Sequence, residues 1–332
     1  MFEKNTINQH FISVAEQTLN QCNPEVTKRT KRKINSFDVI DRETFHIALS
    51  NNSTPKAIDN LSYMDLFTFG TFSDGNRLCF ENLFNRLEKD LITHTNLLLN
   101  KEGNEYENFI YVFKSKLLNM IRNPFCIIKT INNFGDISGY FPVDQSLKEY
   151  YDLIDSFTIP IKILNDFEIN EDQYRKWLKI IFLMITPLKD DKYILDILVE
   201  NYFNYKNFYH IVNIYTFNES ACLLSDRSYI DLSPLFKDTD GISFGFNLRK
   251  DAFIYICIFK NDIEFLVKKL LNANNNVLER VRYLKTRGLN QLQYGLEIGR
   301  CNNEIEILMN FNRQVIYQCK NNVYAATSDI KK

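Results

Sequence analysis

The chain is poor in residues that interrupt regular structure, with 10 Gly and 7 Pro among 332 residues. That argues against collagen-like, linker-like and propeller-like architectures. Long hydrophobic runs are missing as well. The most apolar stretch, Ile180 to Ile185, sits between Lys179 and Pro187, far short of the ~20 apolar residues that span a bilayer. It reads as a buried helix, and a mean hydropathy of −0.27 agrees. The first twenty residues have no apolar centre and no small-residue cleavage site, so no secretory signal is expected. Charge of one sign is lacking too. Forty Lys plus Arg against 41 Asp plus Glu leave a net −1, so the global field selects no partner.

Cysteine pairs are also missing. The seven cysteines are scattered with no CxxC, and the four histidines lie far apart. Reduced core thiols in a cytoplasm are the expectation, and a zinc site has no local signature. Fingerprints of large enzyme classes are absent: no GxxxxGK loop, no GxGxxG after a strand, no HExxH, no GxSxG and no kinase signature.

What is present is core material: 45% hydrophobic residues, with 27 Phe and 18 Tyr. Phe80, Leu83, Phe84, Leu87, Leu91, Thr95 and Leu98 recur at three- and four-residue spacing and predict one five-turn amphipathic helix. Glu105 to Arg122 repeats the pattern through Phe109, Val112, Phe113, Leu117 and Met120 or Ile121, ending at Asn123-Pro124. Further helices are expected at Asn170 to Thr186, Lys189 to Asn204 and Asn302 to Lys320. Between Phe208 and Phe259 the pattern turns to short β-branched and aromatic runs: Ile211 to Phe217, Ala221 to Leu224, Ile242 to Leu248 and Ala252 to Phe259. The reading is one α+β domain over 1–332, mostly helical. Its parts are a helical region at 80–205, a small antiparallel sheet at 208–259 and C-terminal helices at 262–320.

Four places are candidates for chemistry. His10 beside Gln9 near the chain start suits an acid or base at neutral pH, and equally a packing residue beside Phe11 and Ile12. Lys28, Arg29, Lys31, Arg32 and Lys33 put five positive charges within seven residues, a patch for phosphates or a solvated loop. Without interleaved aromatics it reads phosphate and not bases. Asp38, Asp41 and Glu43 follow it, as possible holders of a divalent metal such as Mg²⁺ or as the start of a helix. Lastly, Ser225 and Asp226 end a strand run, where they form either a rim of binding groups or a turn whose carboxylate caps backbone amides.

Two of these places carry a resemblance. A bacterial family known only as a domain of unknown function has an N-terminal motif like His-Tyr-x-Pro-Gln, a long helical region, and a strand pair with a Ser-Asp-x-Pro motif. His10-Phe11-Ile12-Ser13 resembles the first motif, with Ser13 where that family has Pro. His210 to Phe217 followed by Leu224-Ser225-Asp226-Arg227-Ser228 resembles the strand pair, with Ser228 again replacing Pro. Phe244 to Ile256 and the stretch from Asn312 to Ala325 are similar to the later strands, closing helix and terminal strand. The resemblance raises His10, Ser225 and Asp226 as site residues and implies that His10 meets Asp226 in the fold. It also implies a setting in mobile and defence-related bacterial regions.

The functional expectation is a cytoplasmic effector acting on RNA or DNA, a nuclease-like toxin of anti-phage defence. In it His10 is acid or base, Asp226 orients it, Ser225 donates a hydrogen bond and the Lys28 to Lys33 run holds phosphate. The competing expectation is a non-catalytic protein-binding or sensor module whose partner is encoded in the same operon. The two separate on whether His10 and Asp226 line an open cleft or lie sealed in the core.

Overall fold

Apolar spacing sets most element boundaries here, and individual polar side chains decide where elements break. The computed structural model describes residues 1–2, 6–50, 56–57, 61–70, 77–189, 192–203, 208–219, 221–233, 241–260, 296 and 298–330. The N-terminal part holds strand β1 (Asn8–His10), helix α1 (Val14–Leu19) and strands β2 (Lys33–Asp41), β3 (His46–Leu49), β4 (Lys56–Ala57) and β5 (Ser62–Met64). Seven helices follow: α2 (Glu81–Glu88), α3 (Leu91–Asn100), α4 (Glu105–Ile121), α5 (Ile127–Phe134), α6 (Gln145–Ser156), α7 (Ile161–Phe167) and α8 (Glu171–Ile185). A hairpin of β6 (Pro187–Lys189) and β7 (Lys192–Tyr193) leads into α9 (Ile194–Tyr202). Then come β8 (Phe208–Thr216), β9 (Leu224–Ser225), β10 (Ile230–Asp231), β11 (Gly241–Arg249), β12 (Ala252–Lys260), β13 (Ile298–Asn302), α10 (Ile305–Gln318) and β14 (Asn322–Ala325). This is a mixed α+β fold. Among the described residues no helix is long and apolar enough to cross a membrane.

The single helix expected over 80–98 is two helices, broken at Lys89 and Asp90. Tyr111 on α4 is the reason: its hydroxyl donates to the Leu87 carbonyl at 2.9 Å and accepts the Asp90 N–H at 3.3 Å. Two main-chain groups are thereby satisfied outside the helical ladder. Helix α8 forms where expected, started by a reciprocal cap in which Asn170 accepts from the Gln173 N–H and Gln173 from the Asn170 N–H. Trp177 and every residue from Ile180 to Ile185 are essentially unexposed. Trp177 donates its indole N–H to the Ile121 carbonyl at 2.7 Å, locking α8 to the end of α4. The helix expected at 189–204 is shorter, because Pro187–Lys189 and Lys192–Tyr193 pair as strands first. Of the helices expected at 262–320, α10 is present and residues 262–295 lie outside the described residues.

The expected sheet at 208–259 is there, ordered β10-β11-β12-β8-β13, antiparallel except for β13, which runs parallel to β8. Alternation along β12 sorts its two faces. Ile254, Ile256 and Ile258 face the helical layer, while Phe253 and Tyr255 face α10, where Phe253 stacks on Phe311 at 4.1 Å. A second sheet was not expected from the sequence. It is ordered β3-β2-β14-β9 and joins the N-terminal strands to the C-terminal one, with Phe37 opposite Val323. Helix α10 lies between the two sheets, sharing a core with Phe37, Ile47 and Val323 on one side and Phe217, Ile230 and Phe253 on the other.

The end of α10 needs partners for its last carbonyls. Arg42, just past β2, supplies them, with hydrogen bonds to the carbonyls of Ile316 (3.2 Å), Tyr317 (3.0 Å), Cys319 (2.6 Å) and Lys320 (2.6 Å). Arg42→Ala is expected to lower stability by about 1–2 kcal/mol in urea unfolding. Arg42→Lys should recover only part of that, because an ammonium lacks the planar fork. An unchanged midpoint in Arg42→Ala would mean that water serves those carbonyls equally well.

Candidate functional site

Among the described residues, the greatest concentration of buried polar chemistry lies on one edge of α4, where Lys116, Asn119 and Arg122 recur every three residues. Glu16 on α1 places one carboxylate oxygen 2.6 Å from Lys116 Nζ and accepts from the Asn119 amide with the other. Asn119 Oδ1 in turn accepts from Arg122 Nη2 (2.7 Å) and from the Ser13 N–H (3.3 Å). Arg122 also pairs with Glu88 at 3.0 Å, donates to the Phe11 carbonyl and covers the Phe84 ring. Glu16, Lys116 and Asn119 are 0% exposed and Arg122 is 1%. Glu88 is the electrostatic outlier. Burial pushes its carboxyl up to about 7, against the attraction of Arg122 and with the help of the nearby negative charges of Glu16 and Glu81.

The network continues to both chain ends. Asn20, after α1, donates to Asn247 Oδ1 on β11 at 2.8 Å, and Asn247 donates to the Leu223 carbonyl. Asn123 donates to the Asp226 carbonyl at 2.8 Å.

Asp226 is 2% exposed, and its carboxylate is taken up by main-chain groups. Oδ1 accepts from the Lys320 N–H at 2.8 Å, and Oδ2 accepts from Asn321 (2.6 Å) and Asn322 (3.0 Å). Burial raises its pKa, opposed by those three N–H groups and by the charge of Arg227. Ser225 shapes the turn, its Oγ accepting from the Arg227 N–H and its carbonyl from the Ser228 N–H. Ser225 therefore builds the 225–228 turn, and Asp226 holds the 320–322 turn. His10 sits elsewhere: it ends β1, opposite Ser62 on β5, and its backbone N–H donates to Glu81 Oε1 at 3.0 Å. The structure does not place His10 among the partners of Asp226.

The basic run forms a 3-10 turn at Arg29–Lys31 ahead of β2. Lys28, Arg29, Lys31 and Lys33 are exposed, whereas Arg32 folds back to Thr18 Oγ1 and the carbonyls of Val26 and Thr27. The acidic stretch starts no helix. Asp38 accepts from Ser50 Oγ and Asn322 Nδ2. Asp41 closes the β2–β3 turn by accepting from the Thr44 hydroxyl and the Glu43 N–H, and these lower its pKa. Among the described residues no three His, Cys, Asp or Glu side chains gather as a metal ion would need.

Glu16, Glu88, Lys116, Asn119, Arg122 and Asn123 were not picked out by sequence reasoning. The available signal was the three-residue recurrence of polar groups within the otherwise apolar period of 105–122. No protein-family model matches the chain, no curated protein matches it in sequence, and no solved structure matches it in fold.

Two outcomes follow from this geometry. Glu88 titrates near 4.5 when unfolded and near 7 when folded. The stability its protonated form contributes is therefore complete below about pH 4.5 and is lost as pH rises through about 7, by up to about 3 kcal/mol. Urea midpoints of wild type should fall relative to Glu88→Gln between about pH 5 and 8, and parallel curves would refute this. Asp226→Asn, which turns one acceptor into a donor facing main-chain N–H groups, should cost about 2–4 kcal/mol by the same assay. A wild-type midpoint would contradict a capping role.

Proposed function

We propose that the chain is a non-catalytic binding or sensor module and not a nuclease. The observation that carries this reading is the enclosure of Asp226: a carboxylate 2% exposed, with both oxygens held by three main-chain N–H groups, builds a turn and does not orient a catalytic imidazole. The buried polar network goes the same way, since Glu16, Lys116, Asn119 and Arg122 bond one another out of reach of any substrate. Function is then left to the outer surface. Among the described residues its most prominent apolar part is the loop before α6, where Tyr140, Phe141 and Val143 are 67%, 66% and 88% exposed, the kind of surface that a protein partner covers. The seven cysteines, none in a disulfide, support a cytoplasmic setting.

A second reading, an effector acting on nucleic acid, is favoured by the exposed lysines and arginine of the 28–33 turn, where phosphates have access. The two are separated by incubating wild type and His10→Ala with total RNA and plasmid DNA, with and without Mg²⁺ or Mn²⁺. No cleavage by either is expected. Cleavage by wild type that disappears in His10→Ala at equal melting temperature would overturn the binding reading.

A further inference from the structure

The loop leading into β2 is braced by its own polar groups. Asn23 holds it at two points, donating from Nδ2 to the Lys31 carbonyl at 3.0 Å and accepting the Lys33 N–H on Oδ1 at 2.8 Å. Within it the Lys31 N–H donates to the Lys28 carbonyl at 2.9 Å, and the Arg32 N–H to the Arg29 carbonyl at 3.1 Å. Arg32 turns its guanidinium inward, onto the carbonyls of Val26 and Thr27 and the Thr18 hydroxyl. One charge of the run therefore fixes the turn. Lys28, Lys31 and Lys33 stand exposed on it and form no ion pair among the described residues.

The fold adds basic residues that are remote in sequence. The Cys22 N–H donates to the Lys33 carbonyl at 2.8 Å, and the Leu19 carbonyl, three residues earlier, accepts the Lys250 N–H at 3.1 Å. Residues 19–22 thus join the basic turn to the turn between β11 and β12, and β4 sets Lys56 at the register position opposite Ile34. Negative charge is sparse there. Glu25 is the only acidic residue from 23 to 33, and Asp251 is paired with Arg249. The acids of β2 begin at Asp38, about 16 Å along the strand from Lys33 at ~3.3 Å per residue, beyond the Debye length of about 8 Å at physiological salt.

Cations on an exposed, braced turn suit a polyanion that touches several of them at once, and bracing lowers the ordering cost of binding. The chain has no aromatic residue between Phe11 and Phe37, so the turn itself offers no platform on which single-stranded bases stack. None of the exposed large hydrophobic side chains falls between Ile7 and Ile40, so the turn offers no apolar wedge for a lipid surface. We infer that the 23–33 turn, together with Lys250, is a docking surface for the phosphate backbone of duplex nucleic acid, engaged without regard to base sequence. This deepens the binding-module reading, on which it rests, by naming the class of ligand, and it needs neither His10 nor a metal ion.

Fluorescence anisotropy of the full chain with labelled 20-base-pair RNA and DNA duplexes, in EDTA and over a salt series, tests it. Wild type should bind at least one duplex at about 50 mM salt, with a log–log salt slope of roughly −3 to −4 for about four phosphate contacts. Lys28→Glu, Lys31→Glu and Lys33→Glu combined should weaken binding at least about thirtyfold, whereas Lys148→Glu on α6 should leave it within about twofold. Melting temperatures should hold, since the three side chains are exposed; if the triple reversal does not fold, the triple Lys→Gln variant carries the test with a loss of at least about tenfold. No binding by wild type, unchanged affinity in the triple variants, or tighter binding of a single strand or of phosphatidylserine vesicles than of the duplexes would overturn the inference. A gel of the same duplexes after incubation with Mg²⁺ separates the two claims: duplexes shortened by wild type would overturn the non-catalytic reading, while loss of binding in the triple variant would still support the surface.

Discussion

A glutamate and a lysine with no solvent exposure, Glu16 and Lys116, meet at 2.6 Å in the middle of the molecule. Each would be strongly destabilising alone, because a charge taken out of water needs a partner and further hydrogen bonds to be tolerated. Asn119 supplies those bonds, reaching the second oxygen of Glu16 and the Ser13 N–H that opens α1. The consequence is a fixed register between α1 and α4. Sliding one residue would set Glu16 against Ser115 or Leu117 and leave both charges bare. Apolar packing of the helical layer contributes the bulk of the stability without specifying that register, since many apolar contacts are interchangeable.

From this pair the polar contacts run outward to the parts of the chain most distant in sequence. Asn20 ties the N-terminal helix to β11, Asn123 ties the end of α4 to the 226 loop, and Asp226 ties that loop to the turn before β14. Arg42 and Asp226 act on the same short turn, one collecting carbonyls and the other amides. The second sheet, whose outer strand β9 is only two residues long, is held in part by these side chains. Ser225 and Asp226, which looked catalytic by type, are therefore accounted for by main-chain N–H groups that need partners. The exposed loop at 140–143 remains for contact with other molecules.

Much of this was legible in the sequence where the deciding signal is local. The 3.6-residue period places α4, α8 and α10, and β-branched and aromatic runs bounded by polar turns place β11 and β12, because those patterns report local burial. The break between α2 and α3 was not legible, since it depends on a tyrosine hydroxyl twenty-one residues away from Asp90. Nor was the second sheet, in which Phe37 pairs with Val323 and neither end of the chain carries a mark of the other. For Asp226, both a rim position and an amide-capping turn were open. The partners turned out to be main-chain N–H groups, which any residue possesses and which leave no pattern to read. Lys116, Asn119 and Arg122 did leave one, but it was masked by the apolar residues interleaved with them.

The claim that polar side chains around Glu16 build this fold is tested most directly by a double-mutant cycle of Glu16→Gln and Lys116→Met in urea unfolding. Removing one partner should cost about 3–5 kcal/mol, and removing both should recover enough to give a coupling of at least about 2 kcal/mol. Single-variant losses below about 0.5 kcal/mol, or strict additivity, would contradict it.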